Sequence, residues 1–254
     1  MTRRRFYAPS GAFTSALDHV SLATDEARHL RDVLRLKPGD EVYVFDGTGR
    51  EFRCRIEESR RDAAQLRIIN EVEPARPESP LQLTLAVALL KGEKFDLVVQ
   101  KATELGAARI VPVVTMHADI RLRDASDATK RVARWQRIAL EAAKQSGRAA
   151  VPAVDSPVSF ETLIRPAPTD SAPARLMFSE RDGQSLSEAR KNFPGDLGSL
   201  TALVGSEGGW ADDEISSARD AGWIVVTLGG RTLRAETAAI SVAALLQHLY
   251  GDLG

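Results

Sequence analysis

Three prolines, Pro74, Pro77 and Pro80, stand among charged residues between Glu71 and Pro80. They make a stiff, exposed segment that cannot form a central strand. The hydrophobic pattern changes across it. On the N-terminal side, Glu41–Asp46 runs into Gly47-Thr48-Gly49, and Glu51-Phe52-Arg53-Cys54-Arg55-Ile56 then alternates apolar with mostly charged residues, which predicts a β-hairpin. Upstream, Ala27–Leu36 places Leu30, Val33 and Leu34 at helical spacing before Lys37-Pro38-Gly39-Asp40 breaks the helix. Leu66, Ile68 and Ile69 supply a further strand that closes a small barrel. A chain of 254 residues, at ~150 per domain, has room for two domains. The boundary predicts a β-barrel over 1–73 and a second domain over 74–254.

Beyond Pro80, continuous apolar runs are separated by amphipathic helices, as expected for parallel strands covered on both faces. Leu83–Leu90 reads as a strand. Phe95, Val98, Val99, Ala102 and Leu105 recur at helical spacing up to Gly106, and Ile110–Val114 resumes as a strand, completing a βαβ unit. Val132, Trp135, Ala139 and Ala142 share one face of a helix ending at Gly147. Leu176–Phe178, Leu200–Val204 and Trp223–Leu228 are short buried strands, and Ala235–Tyr250 is a closing helix. Residues 155–173, with four prolines, read as a surface loop. The second domain is therefore α/β.

Composition removes several classes of function. Hydrophobic residues at 43% and charged residues at 27% describe a globular chain. With 34 Lys and Arg against 35 Asp and Glu, the chain is no general polycation, so a nucleic-acid partner requires a local basic patch. Cys54 is single, cannot form an internal disulfide, and alternates with Phe52 and Ile56 as a core residue would. His19, His29, His117 and His248 are scattered, and no metal is expected. No apolar run is long enough for a membrane span and no signal peptide is evident, so a cytoplasmic location is expected.

Two glycine-rich loops carry the chemistry. Strand 200–204 runs into Gly205-Ser206-Glu207-Gly208-Gly209, followed by a helix opening with Asp212, Asp213 and Glu214. The next strand runs into Leu228-Gly229-Gly230-Arg231-Thr232-Leu233-Arg234-Ala235-Glu236 and the closing helix. Glycines beyond strand ends in an open α/β sheet let main chain face a ligand, although the same residues also make ordinary tight turns. Neither the Walker lysine nor the G-x-G-x-x-G fingerprint is present, and three acidic residues at the helix start disfavour phosphate there. Arg231, Arg234 and Glu236 are either an internal Arg–Glu network or a set of phosphate contacts beside a proton acceptor.

These loops resemble the RsmE family. Gly205–Gly209, Leu228-Gly229 and Leu233-Arg234-Ala235-Glu236-Thr237-Ala238 carry the likeness. So do Arg3-Arg4-Arg5-Phe6, His29–Arg35 with Gly39-Asp40, Lys101–Gly106, and Arg134-Trp135 through Glu141–Arg148. The family usually has proline where this chain has Ser206 and serine where it has Ala211; the second departure leads us to expect an aspartate as helix cap.

The resemblance implies a PUA-like RNA-binding barrel and a SPOUT-type α/β domain with a trefoil knot. It also implies a homodimer and S-adenosylmethionine-dependent methylation of N3 of a uridine in small-subunit (16S) ribosomal RNA. Cofactor contacts are expected from Leu176, Phe178, Val204, Gly205, Glu207, Gly208, Gly209, Leu228, Gly229 and Leu233. Glu236 is the favoured base, with Arg234 and Arg231 stabilising negative charge on the uracil oxygens. RNA contacts are expected from Arg3, Arg4, Arg5, Arg28, Arg35, Lys91, Lys94, Gln145 and Arg148. A non-catalytic ribosome-assembly factor and an enzyme acting on a small metabolite are the competing readings.

Overall fold

The computed structural model describes residues 3–118, 124–165, 174–193, 195 and 197–254. The loop expected over 155–173 falls partly outside them. The described chain forms two compact units: residues 1–78 with 140–151, and residues 79–139 with 152–254.

The first unit is a five-stranded sheet built from β1 (Arg5–Tyr7), β2 (His19–Leu22), β3 (Glu41–Phe45), β4 (Glu51–Ser59) and β5 (Ala64–Val72), in the order β1-β3-β4-β5-β2. The expected hairpin is β3–β4, antiparallel with Val42 opposite Cys54 and Val44 opposite Phe52. Its turn is fastened by Asp46, whose Oδ1 accepts from the Thr48 amide at 2.8 Å. Alternation puts Phe52, Cys54 and Ile56 into a core with Phe6, Val20, Leu22, Leu30 and Leu66. Burial pushes the Cys54 thiol up to about 12.

The helix expected over Ala27–Leu36 is interrupted. A short α1 (Thr24–Arg28) passes into a wide π-type turn over His29–Val33, and Arg35 then adopts a left-handed φ of 54°. A π-type turn accommodates an extra residue and shifts the helical phase. Leu30 stays buried, whereas Val33, expected on the same face, is 64% exposed.

The second unit contains β6 (Gln82–Ala88), α2 (Lys94–Glu104), β7 (Arg109–Val114), the first part of α3 (Ala125–Ser146), β8 (Ala153–Val154), β9 (Val158–Ser159) and α4 (Phe160–Ile164). It continues with β10 (Ala174–Phe178), α5 (Leu186–Arg190), β11 (Ser199–Val204), α6 (Asp212–Asp220), β12 (Ile224–Val226) and α7 (Ala235–Tyr250). The strands form a parallel sheet in the order β12-β10-β11-β6-β7-β8, with β9 also pairing β7. Runs such as Leu85–Ala88 and Ile110–Val113 are buried because helices cover both faces. On one face Ala86, Val111, Met177, Leu203 and Val225 pack with Phe160, Trp210, Ile215 and Trp223 around α4 and α6. On β6 and β11 rests α7, which also packs against α2.

Sheet order is what builds the site. Strand β10 lies between β11 and β12, and Phe178 pairs with both Val204 and Val226, so three strands end level. The segments that leave them share one rim.

Candidate active site

Between those segments lies a cavity of about 300 Å³. This is at the lower end of the roughly 300–1,000 Å³ found for small-molecule sites. Its walls come from Phe178–Glu180 after β10, from Val204–Ser206, Gly209 and Trp210 after β11, and from Thr227–Leu233 with Ala235 and Ala238 after β12.

A close approach explains Gly205. A Cβ built there would lie 3.0 Å from the Trp210 indole, which is itself buried and donates from Nε1 to the Phe178 carbonyl at 2.8 Å. The indole thus joins the end of β10 to the loop after β11. Ser206, where the family usually has proline, donates from Oγ to the His117 carbonyl at 3.1 Å. Its hydroxyl therefore supplies an anchor for the loop. The other loop turns through Gly229 and Gly230 at φ of 70° and 75°, a left-handed conformation that excludes most side chains.

No aspartate caps α6. Ala211 is the N-cap and offers no side-chain acceptor, while Asp212 already lies in the first turn and is bound to Arg181 at 2.6 Å. Glu214 reaches back instead: Oε2 accepts from the Ala211 amide at 3.0 Å and Oε1 from the Met116 amide at 2.9 Å. One buried carboxylate therefore fixes both the helix start and the segment after β7.

The arginine–glutamate cluster is not an internal network. Arg231 lines the cavity and Arg234 caps α7, both exposed, and neither guanidinium has a hydrogen bond or ion pair with another described residue. Glu236 pairs with neither, and Glu236 and Arg234 lie outside the cavity lining, next to its members Leu233 and Ala235. The Glu236 side chain is 12% exposed, its Oε2 has no hydrogen bond among the described residues, and the Lys94 ammonium stands 3.8 Å away. Lys94 instead donates to Glu207 Oε1 at 2.9 Å. Burial raises the Glu207 carboxyl, but Lys94 and the backbone amides of Glu207 and Lys91 outweigh it and hold the group below its ordinary range. The same hydrogen bond raises Lys94.

Comparison with known proteins settles the family. The RNA methyltransferase domain family matches residues 77–247, and the RNA methyltransferase PUA domain family matches residues 22–69. Ribosomal RNA small subunit methyltransferase E of Synechocystis sp. is 35% identical over 232 residues, covering 91% of this chain and 73% of that relative. Its Bacillus subtilis counterpart is 30% identical, covering 90% and 89%. The crystal structure of ribosomal RNA small subunit methyltransferase E from Neisseria gonorrhoeae bound to S-adenosyl methionine superposes with a TM-score of 0.86, at 34% identity and full coverage of both chains. This chain belongs to the RsmE family.

Of the cofactor contacts expected from the RsmE resemblance, Phe178, Val204, Gly205, Gly209, Leu228, Gly229 and Leu233 line the cavity. Leu176 is buried inside β10, Glu207 is turned to Lys94, and Gly208 lies against His117, so these three are outside the lining. Glu180, Ser206, Trp210 and Thr227 line it without having been expected. Their only sequence signal is adjacency to strand ends.

The expected RNA contacts separate into two groups. Arg5 is 8% exposed, forks onto the fully buried Glu51 at 3.3 and 3.2 Å, and donates to the Arg148 carbonyl. Arg148 is buried and forks onto Glu78 Oε2 at 2.9 and 2.6 Å. Arg3 joins Glu51 at 3.2 Å. These guanidiniums are committed to the first unit's own carboxylates. Arg4, Arg28, Arg35 and Gln145 are exposed in that unit, as is Lys91 in the other. Among the described residues no helix is long and apolar enough to cross a membrane, and no cluster of three His, Cys, Asp or Glu residues is placed to hold a metal.

Proposed function

We propose that this chain methylates N3 of a uridine in small-subunit ribosomal RNA, with the cavity between the glycine loops as its cofactor site. Membership of the RsmE family makes it a methyltransferase that takes its methyl group from S-adenosylmethionine and acts on small-subunit ribosomal RNA. The observation that carries the reading is the cavity itself: the glycine loops and apolar Phe178, Val204, Trp210, Leu228 and Leu233 form much of its wall, and Arg231, without an ion pair among the described residues, lines it.

The residues present fit the cofactor. Acidic Asp212, Asp213 and Glu214 at the start of α6 disfavour phosphate but not a sulfonium ligand that carries none. When bound, S-adenosylmethionine supplies an electrophilic methyl group. The chain supplies the rest. Gly205 and the Trp210 indole shape the wall, and the loop over 227–233 supplies carbonyls and amides. Glu236 accepts the imide proton that must leave N3, and Arg231 and Arg234 face the negative charge that then develops on the uracil oxygens. The target uridine has to be unpaired or flipped, because N3 lies on its pairing edge.

In this reading the first unit is a closed PUA-like barrel that holds RNA, with exposed Arg4 and Arg35 as cations open to the backbone and Arg28 beside Asp32 at 3.9 Å. The domains divide near residue 73. The passage from edge strand β12 back to α7 over β6 and β11 threads a trefoil knot, and two copies associate in the cytoplasm as a homodimer. Mass spectrometry of small-subunit RNA incubated with enzyme and isotopically labelled cofactor tests the chemistry. A single labelled 3-methyluridine supports it. Label on a different base, or at a uridine atom other than N3, rejects it.

A further inference from the structure

The Glu207–Lys94–Glu236 arrangement joins three separated pieces of chain: the loop after β11, the start of α2 and the start of α7. A buried carboxylate oxygen without a hydrogen bond costs stability unless something uses it. Glu236 Oε2 is such an atom, and a cation that could satisfy it sits 3.8 Å away, hydrogen-bonded to a different carboxylate.

We propose that Lys94 is a positioning residue for the methyl-transfer reaction, and that Glu207 holds its ammonium beside Glu236 yet too far to occupy the Glu236 oxygen that receives the proton. The proposal rests on Glu236 being the proton acceptor. A cation within about 4–6 Å favours the ionised carboxylate. A direct ammonium hydrogen bond would also occupy a lone pair and make the carboxylate a poorer base. Tethering at Glu207 separates the two effects. In the step itself the N3–H proton would pass to Glu236 and the N3 electron pair would bond to the methyl carbon of the bound S-adenosylmethionine, whose carbon–sulfur bond would break with its pair left on sulfur, so that S-adenosylhomocysteine departs. The neutral acid left behind no longer attracts Lys94, which keeps its hydrogen bond to Glu207, so proton uptake leaves no unpaired ammonium.

Among the described residues, the charged groups that meet at Lys94 of α2 are Glu207 from the β11 loop, Glu236 from the first turn of α7 and Arg234 at its cap. Removing Lys94 deletes an attractive charge. Removing the negative charge of Glu207 deletes a repulsive one and frees Lys94 to close on Glu236. The two substitutions therefore act in opposite directions on the pH at which the base loses its proton.

Single-turnover methylation at saturating RNA and cofactor, followed across pH for Glu236→Gln, Lys94→Gln and Glu207→Gln, tests this. Lys94→Gln should move the acid limb to higher pH, so that the rate on that limb falls about tenfold. Glu207→Gln should move the limb down and lower the plateau. Affinity for S-adenosylmethionine and for RNA should stay within about threefold in both variants. If Glu236→Gln keeps the full rate, the assignment of the base is wrong and the proposal falls with it. If Glu236→Gln abolishes turnover while both other limbs coincide with wild type, or if Lys94→Gln weakens only RNA binding, the base stands and the role of Lys94 is refuted.

Discussion

Gly205→Ala tests how the cavity wall is made. The new methyl would lie 3.0 Å from two atoms of the Trp210 indole, tighter than ordinary van der Waals contact. The indole cannot retreat without lengthening its 2.8 Å bond to the Phe178 carbonyl, and both residues line the cavity. Overpacking a well-filled interior costs about 1–3 kcal/mol, and a lost buried hydrogen bond costs about 0.5–1.5 kcal/mol. A loss of roughly 2–4 kcal/mol follows, or a Tm lower by about 4–16 °C. Because the displaced ring forms part of the wall, at least about 1.4 kcal/mol of that should appear in binding, a tenfold weaker Kd. Calorimetric titration with S-adenosylmethionine and thermal unfolding read the two quantities on one preparation. Gly230→Ala is the contrast: nothing lies within 4 Å of its Cβ, so its cost is the left-handed backbone alone, about 1–2 kcal/mol. If Gly205→Ala binds cofactor as tightly as wild type and melts at the same temperature, the close approach does not shape the site.

Arg5→Ala should leave the fully buried Glu51 without its forked partner and cost about 3–5 kcal/mol in urea unfolding. Exposed Arg4→Ala should leave stability intact and reduce the salt slope of RNA binding by about one. The reverse pattern would put Arg5 in the RNA footprint and Arg4 in the fold. Glu207 is held below its ordinary range, so its pairing with Lys94 contributes above the unfolded carboxylate value of about 4.3 and is lost as pH falls through the lower folded value. The Tm gap between wild type and Lys94→Gln should therefore be open at pH 7 and narrow as the pH is lowered past the ordinary carboxylate range; a gap that widens on acidification contradicts the pairing. Cys54, with its thiol pushed up to about 12 by burial, should resist iodoacetamide at pH 8 until the protein is unfolded. Rapid labelling of the native chain would show that this core is open.

What was legible in the amino-acid sequence was what repeats locally. Alternation between Glu51 and Ile56 marks β4, and the continuous run at Leu83–Leu90 marks β6, because sheet faces impose those periods. The glycine loops stood out because few residues tolerate close backbone approach or a positive φ. Long-range pairings left no such trace. Nothing around Arg5 announces Glu51, 46 positions away. Lys94, 113 residues from Glu207, reads as a surface cation until the sheet brings α2 to the loops. The basic run at Arg3–Arg5 looked uniform, yet only Arg4 is exposed, because neighbours on an edge strand face opposite ways. Val33 kept helical spacing on paper and lost it to the π-type turn.

A crystal structure of this chain grown with S-adenosylmethionine tests the central claim most directly. The account predicts density for the whole cofactor between the loop over 205–210 and the loop over 227–235, held chiefly by main-chain hydrogen bonds, with Arg231 and Glu236 facing the methyl-bearing side. Cofactor bound elsewhere, or held in that cavity with its methyl group directed away from both residues, would contradict it.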